Sequence, residues 1–378
     1  MIDPEALRPH YSWFLRDERV LLTGHSHQAW PDVAREGVIE AFEDAAALVD
    51  DKWAKASEAA DAVRRAVASH VGAEPDEIAL GQNTHELVTR WLSALDLRAR
   101  PHVVTTAGEF HSLDRQLSRL AEEGLEVTWV APQPYETLTA RIAEAIGPRT
   151  AGVALSTVLF ETSAIVPDVE TATEAARDAG AEVLLDTYHA QGVLPFSIPA
   201  HAFATGGGYK YLQWGEGVCW LRVPAGCALR PVFTGWFSDF ANLAAPRDPG
   251  RAVGYGPTPA DRFAGSTYDP TSHYRARRVI RFFAAQELSI DALRALSLRQ
   301  TQRILDGLGD DFVVRTPAER GGFVTVELDD ASGAVAALRE RGILADARGS
   351  GLRLGPAPYT TDDEIDRALA ALREVTAR

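Results

Sequence analysis

The sequence predicts an α/β protein with a large, doubly wound domain on a mainly parallel sheet and a smaller C-terminal α+β domain. Two observations carry the large domain: short β-rich runs alternate with alanine-rich amphipathic stretches, and several of those runs are continuously apolar. Such runs suit strands buried on both faces of a parallel sheet, with the intervening helices as crossovers. The third observation is a change of texture near Pro257, where a long helical stretch leads into shorter strands. A chain of 378 residues exceeds one ordinary core, so roughly two domains are expected.

Seven strands are expected in the large domain: Glu77 to Asn83, His102 to Thr106, Glu126 to Ala131, Gly152 to Thr157, Glu182 to Asp186, Ala202 to Gly206 and Val218 to Val223. Each is short and bounded by turn residues or by a helical pattern. Beyond Pro257, helix is expected from Tyr274 to about Leu308, then strands at Phe312 to Arg315 and Gly322 to Leu328. A helix near Ala331 to Arg341, a strand at Gly351 to Pro356 and a last helix at Asp362 to Thr376 complete the smaller domain. The expected division is 1–30 as an N-terminal segment, 31–256 as the large domain and 257–378 as the small one. No repeat or low-complexity tract interrupts it.

A balance of 38 basic against 53 acidic residues, net charge −15, argues against nucleic acid or anionic membrane as partner, while leaving room for a small anion held by local arginines. Cys219 and Cys227 lack metal-ligand or redox spacing, so a reduced, cytoplasmic compartment is expected. Met1 to His10 is polar, which predicts no signal peptide, and no apolar run approaches the ~20 residues of a membrane span.

Lysine usage is the sharpest chemical signal. Lys210 is one of three lysines and stands in Gly206-Gly207-Gly208-Tyr209-Lys210-Tyr211, 24 residues after the strand-end acid Asp186. The other two, Lys52 and Lys55, lie in a charged stretch with helical spacing and read as a solvated face. Arginine stays protonated in proteins, whereas a lysine amine can lose its proton and condense with an aldehyde. Pyridoxal phosphate is the aldehyde that needs a lysine and an acid beside its pyridine nitrogen, and Lys210 with Asp186 is the natural pair. Taken singly, Lys210 reads as a surface lysine exposed on a glycine-rich turn and Asp186 as a strand-end cap; it is the pair that points to the cofactor.

Ligands of open α/β sheets sit outside the carboxyl ends of the strands. Asn83 and Thr84 end the first strand before a helix whose free N–H groups suit a phosphate, although Thr84 also reads as an N-cap. Phe110, after the second strand, can offer an aromatic face to a ring or simply pack in the core. His25 and His27 have a spacing that can bind metal, but no Cys or carboxylate follows, so no metal is expected. Gly206-Gly207-Gly208 fits neither the dinucleotide nor the P-loop spacing.

The order from Asn83-Thr84 through Phe110, Asp186-Thr187-Tyr188-His189, Tyr209-Lys210-Tyr211-Leu212 and Gly235-Trp236-Phe237 to Gly351-Leu352-Arg353-Leu354-Gly355-Pro356-Ala357-Pro358 resembles kynureninase. That family lies in the class V aminotransferase group of fold-type I pyridoxal phosphate enzymes. Leu21-Leu22-Thr23-Gly24-His25-Ser26 resembles its opening strand and Gly-Asn-Ser turn, with His25 in place of asparagine. The resemblance implies that Asp186 keeps the pyridine nitrogen protonated, that His189 sits near the ring hydroxyl, and that Tyr209 touches the phosphate and carries a proton. It further implies Trp236 as a phosphate holder, Arg353 as the clamp for the substrate α-carboxylate, and the 1–30 segment, through His25 and Ser26, as part of the substrate site. Arg262-Phe263-Ala264-Gly265-Ser266-Thr267 resembles the segment that reaches a partner subunit's phosphate, so a homodimer with shared active sites is implied.

The activity so implied is hydrolysis of the Cβ–Cγ bond of kynurenine or a related amino acid to alanine and an aryl acid, within tryptophan catabolism. A class V aminotransferase or another lyase acting on a different amino acid is the alternative. Gln213-Trp214-Gly215-Glu216-Gly217 departs from the small residues usual there, and no aryl-ring histidine falls between Asp50 and His70. A cysteine desulfurase would need a nucleophilic cysteine near Arg353, and Asp346 to Gly351 has none. A catalytically silent sensor on the same fold would have lost the lysine or its acid, and both are present.

Overall fold

The structure, a computed structural model, describes residues 2–246, 250 and 252–377. Its N-terminal part carries helix α1 (Pro4–Leu7), strand β1 (Val20–Leu21) and two long helices, α2 (Val33–Leu48) and α3 (Lys52–Val71). All seven expected strands form, as β2 (Ile78–Gly81), β3 (His102–Thr106), β4 (Glu126–Val130), β5 (Thr150–Ser156), β6 (Glu182–Asp186), β7 (Phe203–Gly207) and β8 (Cys219–Arg222). They make one sheet in the order β2-β8-β7-β6-β5-β3-β4. Only β8 runs against its neighbours; the other pairings are parallel.

The crossovers are α4 (Thr84–Ala94), α5 (His111–Glu122), α6 (Leu138–Ala145) and α7 (Val169–Asp178), each following a strand. Both faces of the sheet are covered, which explains the continuous apolar runs. Successive side chains of a strand point to opposite faces. Accordingly Val153, Leu155, Val183 and Leu185 join one core cluster, while Ala154 and Leu184 join the other.

The C-terminal part holds α8 (Thr271–Ala285), α9 (Ile290–Leu308), β9 (Val324–Glu327), α10 (Ala331–Glu340), β10 (Ile343–Leu344), β11 (Asp346–Arg348), β12 (Gly351–Leu354) and α11 (Asp362–Thr376). A three-stranded antiparallel sheet, β11-β12-β9, packs with α9, α10 and α11 around its own apolar cluster. Helix α8 instead lies against α2 and α3. β1 pairs in parallel with β10, and the isolated bridge Thr23–Gly355 continues that contact. The segment around residue 25 is thereby brought beside the end of β12.

Two expectations are corrected. The stretch from Tyr274 to Leu308 is two helices: Glu287 adopts φ +53°, and the Ser289 side chain accepts the Ala292 N–H to cap α9, a stop and restart the apolar spacing conceals. Phe312 to Arg315 forms a single bridge, Val314–Val326, rather than a strand. No helix among the described residues is long and apolar enough to cross a membrane.

Candidate active site

Carboxyl ends of β2, β3, β5 and β6 converge on a cavity of roughly 300 Å³. Asn83, Thr84, Phe110, Asp186, His189, Tyr209 and Lys210 all line it, although these residues span 128 positions of sequence. Each arrives by the same device, a strand that ends and hands the chain to a turn or helix at one edge of the sheet.

Lys210 is not exposed on a loose turn; its side chain is 6 % exposed. The glycines before it serve close packing. A Cβ on Gly207 would come within 2.1 Å of the Tyr188 hydroxyl oxygen, and one on Gly208 within 2.5 Å of the Trp214 ring. These aromatic walls press on the backbone and hold the lysine in the cavity. Trp214 is itself 1 % exposed and packs in the core rather than lining the cavity.

Lys210 Nζ lies 2.7 Å from His189 Nε2, 4.8 Å from the Tyr188 ring centroid and 5.6 Å from that of Phe110. Burial lowers the Lys210 amine to about 7, with Asp186 opposing the shift. Asp186 moves the other way: burial raises its carboxyl, although the Tyr188 N–H and Lys210 favour the charged form. Both directions have one cause, a site poor in water that penalises charge. Asp186 Oδ1 accepts the Tyr188 N–H at 2.9 Å, and the carboxylate has no ion-pair partner within 4 Å among the described residues. Burial also depresses His189 well below its ordinary range, and its Nδ1 is buried without a hydrogen-bond partner.

At the β2 end the Asn83 side chain accepts the Glu86 N–H at 2.8 Å, so Asn83 caps α4 and Thr84 opens it. Thr84 Oγ1 reaches the Cys219 Sγ at 3.7 Å. The positive end of α4 faces the cavity, as an anion requires. Burial pushes the Tyr209 phenol up to about 12, and its ring stacks on His27 at 5.0 Å. Glu216, at the cavity edge, is 3.6 Å from His27 Nε2.

The remaining candidates lie elsewhere. Trp236, Ser266 and Thr267 stand together: Trp236 Nε1 donates to Thr267 Oγ1 at 3.1 Å. Ser266 and Thr267 line a second cavity of roughly 650 Å³ that shares only Gln82 with the first. Arg353 and His25 are buried and do not line the first cavity, although Arg353 bonds the carbonyl of Phe160, which does; the two are joined through Asp346. Ser26 is half-buried, its Oγ 3.2 Å from His27 Nδ1. Among the described residues no cluster of metal-ligating side chains occurs.

Two acids escaped the sequence reading. Glu109 is buried and pushed up to about 7 by desolvation; it accepts from Thr106 Oγ1 at 2.7 Å and from Ser156 Oγ at 2.6 Å. It ties the ends of β3 and β5 together and seats Phe110, its neighbour in sequence. Asp346 lies directly across the hairpin from Arg353. The signal was Gly349-Ser350, a two-residue turn that sets this register.

The family described as the kynureninase C-terminal domain matches residues 293–372. Isopenicillin N epimerase of Streptomyces clavuligerus is 29% identical over 339 residues, covering 83% of each chain. Kynureninase of Geobacillus thermodenitrificans (strain NG80-2) is 25% identical over 406 residues, covering 99% of this chain and 92% of its own. Among solved structures, a C-DES variant with glycine covalently linked to its pyridoxal phosphate cofactor superposes with a TM-score of 0.84 at 18% identity, covering 97% of this chain and 98% of that one. The fold is that of the fold-type I pyridoxal phosphate-dependent enzymes. In sequence the chain is kynureninase-like, similar to proteins of the class V aminotransferase group.

Proposed function

We propose that the protein is a pyridoxal phosphate-dependent hydrolase that cleaves the Cβ–Cγ bond of kynurenine or a close relative, giving alanine and an aryl acid. The observation that carries it is Lys210, buried, 2.7 Å from His189 and sharing its cavity with Asp186. The residues fit the cofactor. Asp186 is a buried carboxylate that lacks a cation, which a protonated pyridine nitrogen supplies, and His189 Nδ1 is a buried polar atom that lacks a partner. The α4 N-terminus with Asn83 and Thr84 would hold the phosphate, and Phe110 would lie on the ring face.

When bound, pyridoxal phosphate supplies an aldehyde for the amino group and a ring that accepts the electron pair left at Cα. Asp186 would stay ionised against the ring nitrogen. Lys210, with a proton affinity near neutrality, would take the α-proton and return it. Tyr209, held as a phenol by burial, would donate the proton that Cβ takes up when the aryl carboxylate departs. Arg353 would fix the α-carboxylate, so that the α-proton faces Lys210 rather than water. Hydration at Cγ then lets the Cβ–Cγ bond break, with Cβ leaving as the methyl carbon of alanine.

Two features support the alternative of a class V enzyme acting on another amino acid: the isopenicillin N epimerase likeness, and His25 where kynureninases carry asparagine. Mass balance separates the readings. The hydrolase should release equimolar alanine and aryl acid from kynurenine or its 3-hydroxy form without any 2-oxo acid. Turnover that needs a 2-oxo acid, or that only inverts Cα, assigns the alternative.

The site is proposed to be completed by a second copy of the chain, with Trp236, Ser266 and Thr267 reaching the partner's phosphate. In a two-fold dimer every chain both gives and receives that segment. Mixing Lys210→Ala chains with Ser266→Ala/Thr267→Ala chains should therefore restore activity, to at most one intact site per heterodimer. No recovery after verified subunit exchange assigns the segment to its own chain.

A further inference from the structure

Arg353 is 3 % exposed, and a guanidinium so deeply buried needs a permanent counter-charge. Asp346 supplies it, accepting from Nε at 2.9 Å and from Nη2 at 2.5 Å. The two residues face each other across the β11–β12 hairpin, and against the opposing effect of burial the contacts of Asp346 with His25 first and Arg353 second hold its carboxyl far below the usual carboxylate range. Nη1 donates to the Phe160 carbonyl at 2.7 Å. Three of the five guanidinium N–H donors are thus committed, all on the Nε edge or to the backbone, and two remain on the Nη pair.

His25 completes the assembly. It is fully buried, and its Nε2 lies 2.8 Å from Asp346 Oδ1, the oxygen that Arg353 Nε also uses. Its ring packs on Phe323 at 4.6 Å. Burial lowers the imidazole to about 4, and Nδ1 has no partner. The neutral ring therefore carries its proton on Nε2 and donates it to Asp346. Its berth exists only because residue 355 is glycine: a Cβ there would come within 2.2 Å of His25 Nδ1.

We infer that Asp346 and His25 are positioning residues that hold the Nε edge of Arg353, so that only its terminal Nη fork is offered to the α-carboxylate of the substrate. This rests on the proposed amino-acid chemistry, and it gives His25 a task other than touching substrate. A side-on carboxylate already in place leaves room for one further carboxylate, end-on, in a fixed plane. Arg348, 3.7 Å from Asp346 and half-buried, is too distant to substitute for either partner.

The test compares binding of L-alanine and L-alaninamide to the holoenzyme by spectral titration. Wild type should prefer the carboxylate. Asp346→Ala should weaken alanine about tenfold while changing the amide less than about twofold, the loss expected when a charge-assisted bidentate hold is loosened. Asp346→Asn, which keeps the shape, should fall between the two. His25→Ala should move alanine about threefold, and His25→Gln, whose amide can still donate to Asp346, should recover most of it. With substrate, KM should rise more than kcat falls. Equal losses for both ligands, or none, overturn the inference while normal cofactor uptake leaves the wider proposal standing. Wild type without preference for alanine over its amide removes the clamp itself, and a chain that takes up no pyridoxal phosphate overturns both.

Discussion

The Lys210→Ala chain is expected to lose covalent attachment of pyridoxal phosphate and at least ~10⁴-fold in turnover, because one amine both bonds the aldehyde and moves the α-proton. The wild-type protein should be yellow, and borohydride should fix the label on Lys210 alone, since Lys52 and Lys55 lie on helix α3 away from the cavity. The pH dependence follows from burial. An ordinary lysine has roughly one free amine in 2,500 at pH 7, whereas an amine lowered to about 7 is half free there. Its shift is downward, so the reactive form accumulates as pH rises through 7 and is saturated well below 10. Uptake of cofactor by the apoprotein should therefore rise through pH 7 and level off by about pH 8 to 9. A rate that climbs steadily to pH 10, or a Lys210→Ala chain that still forms the reducible adduct, rules out this lysine.

Asp186→Ala should bind the cofactor weakly and lose roughly 100- to 1,000-fold in kcat, the scale on which removal of one preorganised charge acts. Asp186 sits at the end of β6, held by the Tyr188 N–H, and desolvation already disfavours its charge. A cationic ring nitrogen reverses that balance, so the pair stabilise each other only when both are present. Asp186→Asn should resemble the alanine variant, because an amide supplies a hydrogen bond without charge, whereas Asp186→Glu should be milder. The readouts are kcat, cofactor affinity and the absorbance of the bound ring. Near-normal turnover in Asp186→Ala would move the acid's role elsewhere, and Glu109, buried against Ser156, is the residue to test next.

What the sequence determined by itself was the sheet and the floor of the site. Strand positions follow from local apolar runs, and strand ends of an open α/β sheet meet at one edge, so Asn83, Thr84, Phe110, Asp186 and Lys210 could be collected without coordinates, while His189 and Tyr209 came from the family resemblance. Lysine scarcity then marked which of them reacts. Tertiary structure decided whatever depends on a neighbour distant in sequence. Lys210 is buried because Tyr188 and Trp214 close on Gly207 and Gly208, and only that burial brings its amine near neutrality. The break between α8 and α9 rests on one left-handed residue and one serine cap, which a helical period does not register. Arg353 acquires its counter-charge from a hairpin partner and its orientation from His25, 328 residues earlier in the chain. That last contact exists because β1 pairs with β10, a two-residue register too short to be written in any local pattern of hydrophobicity.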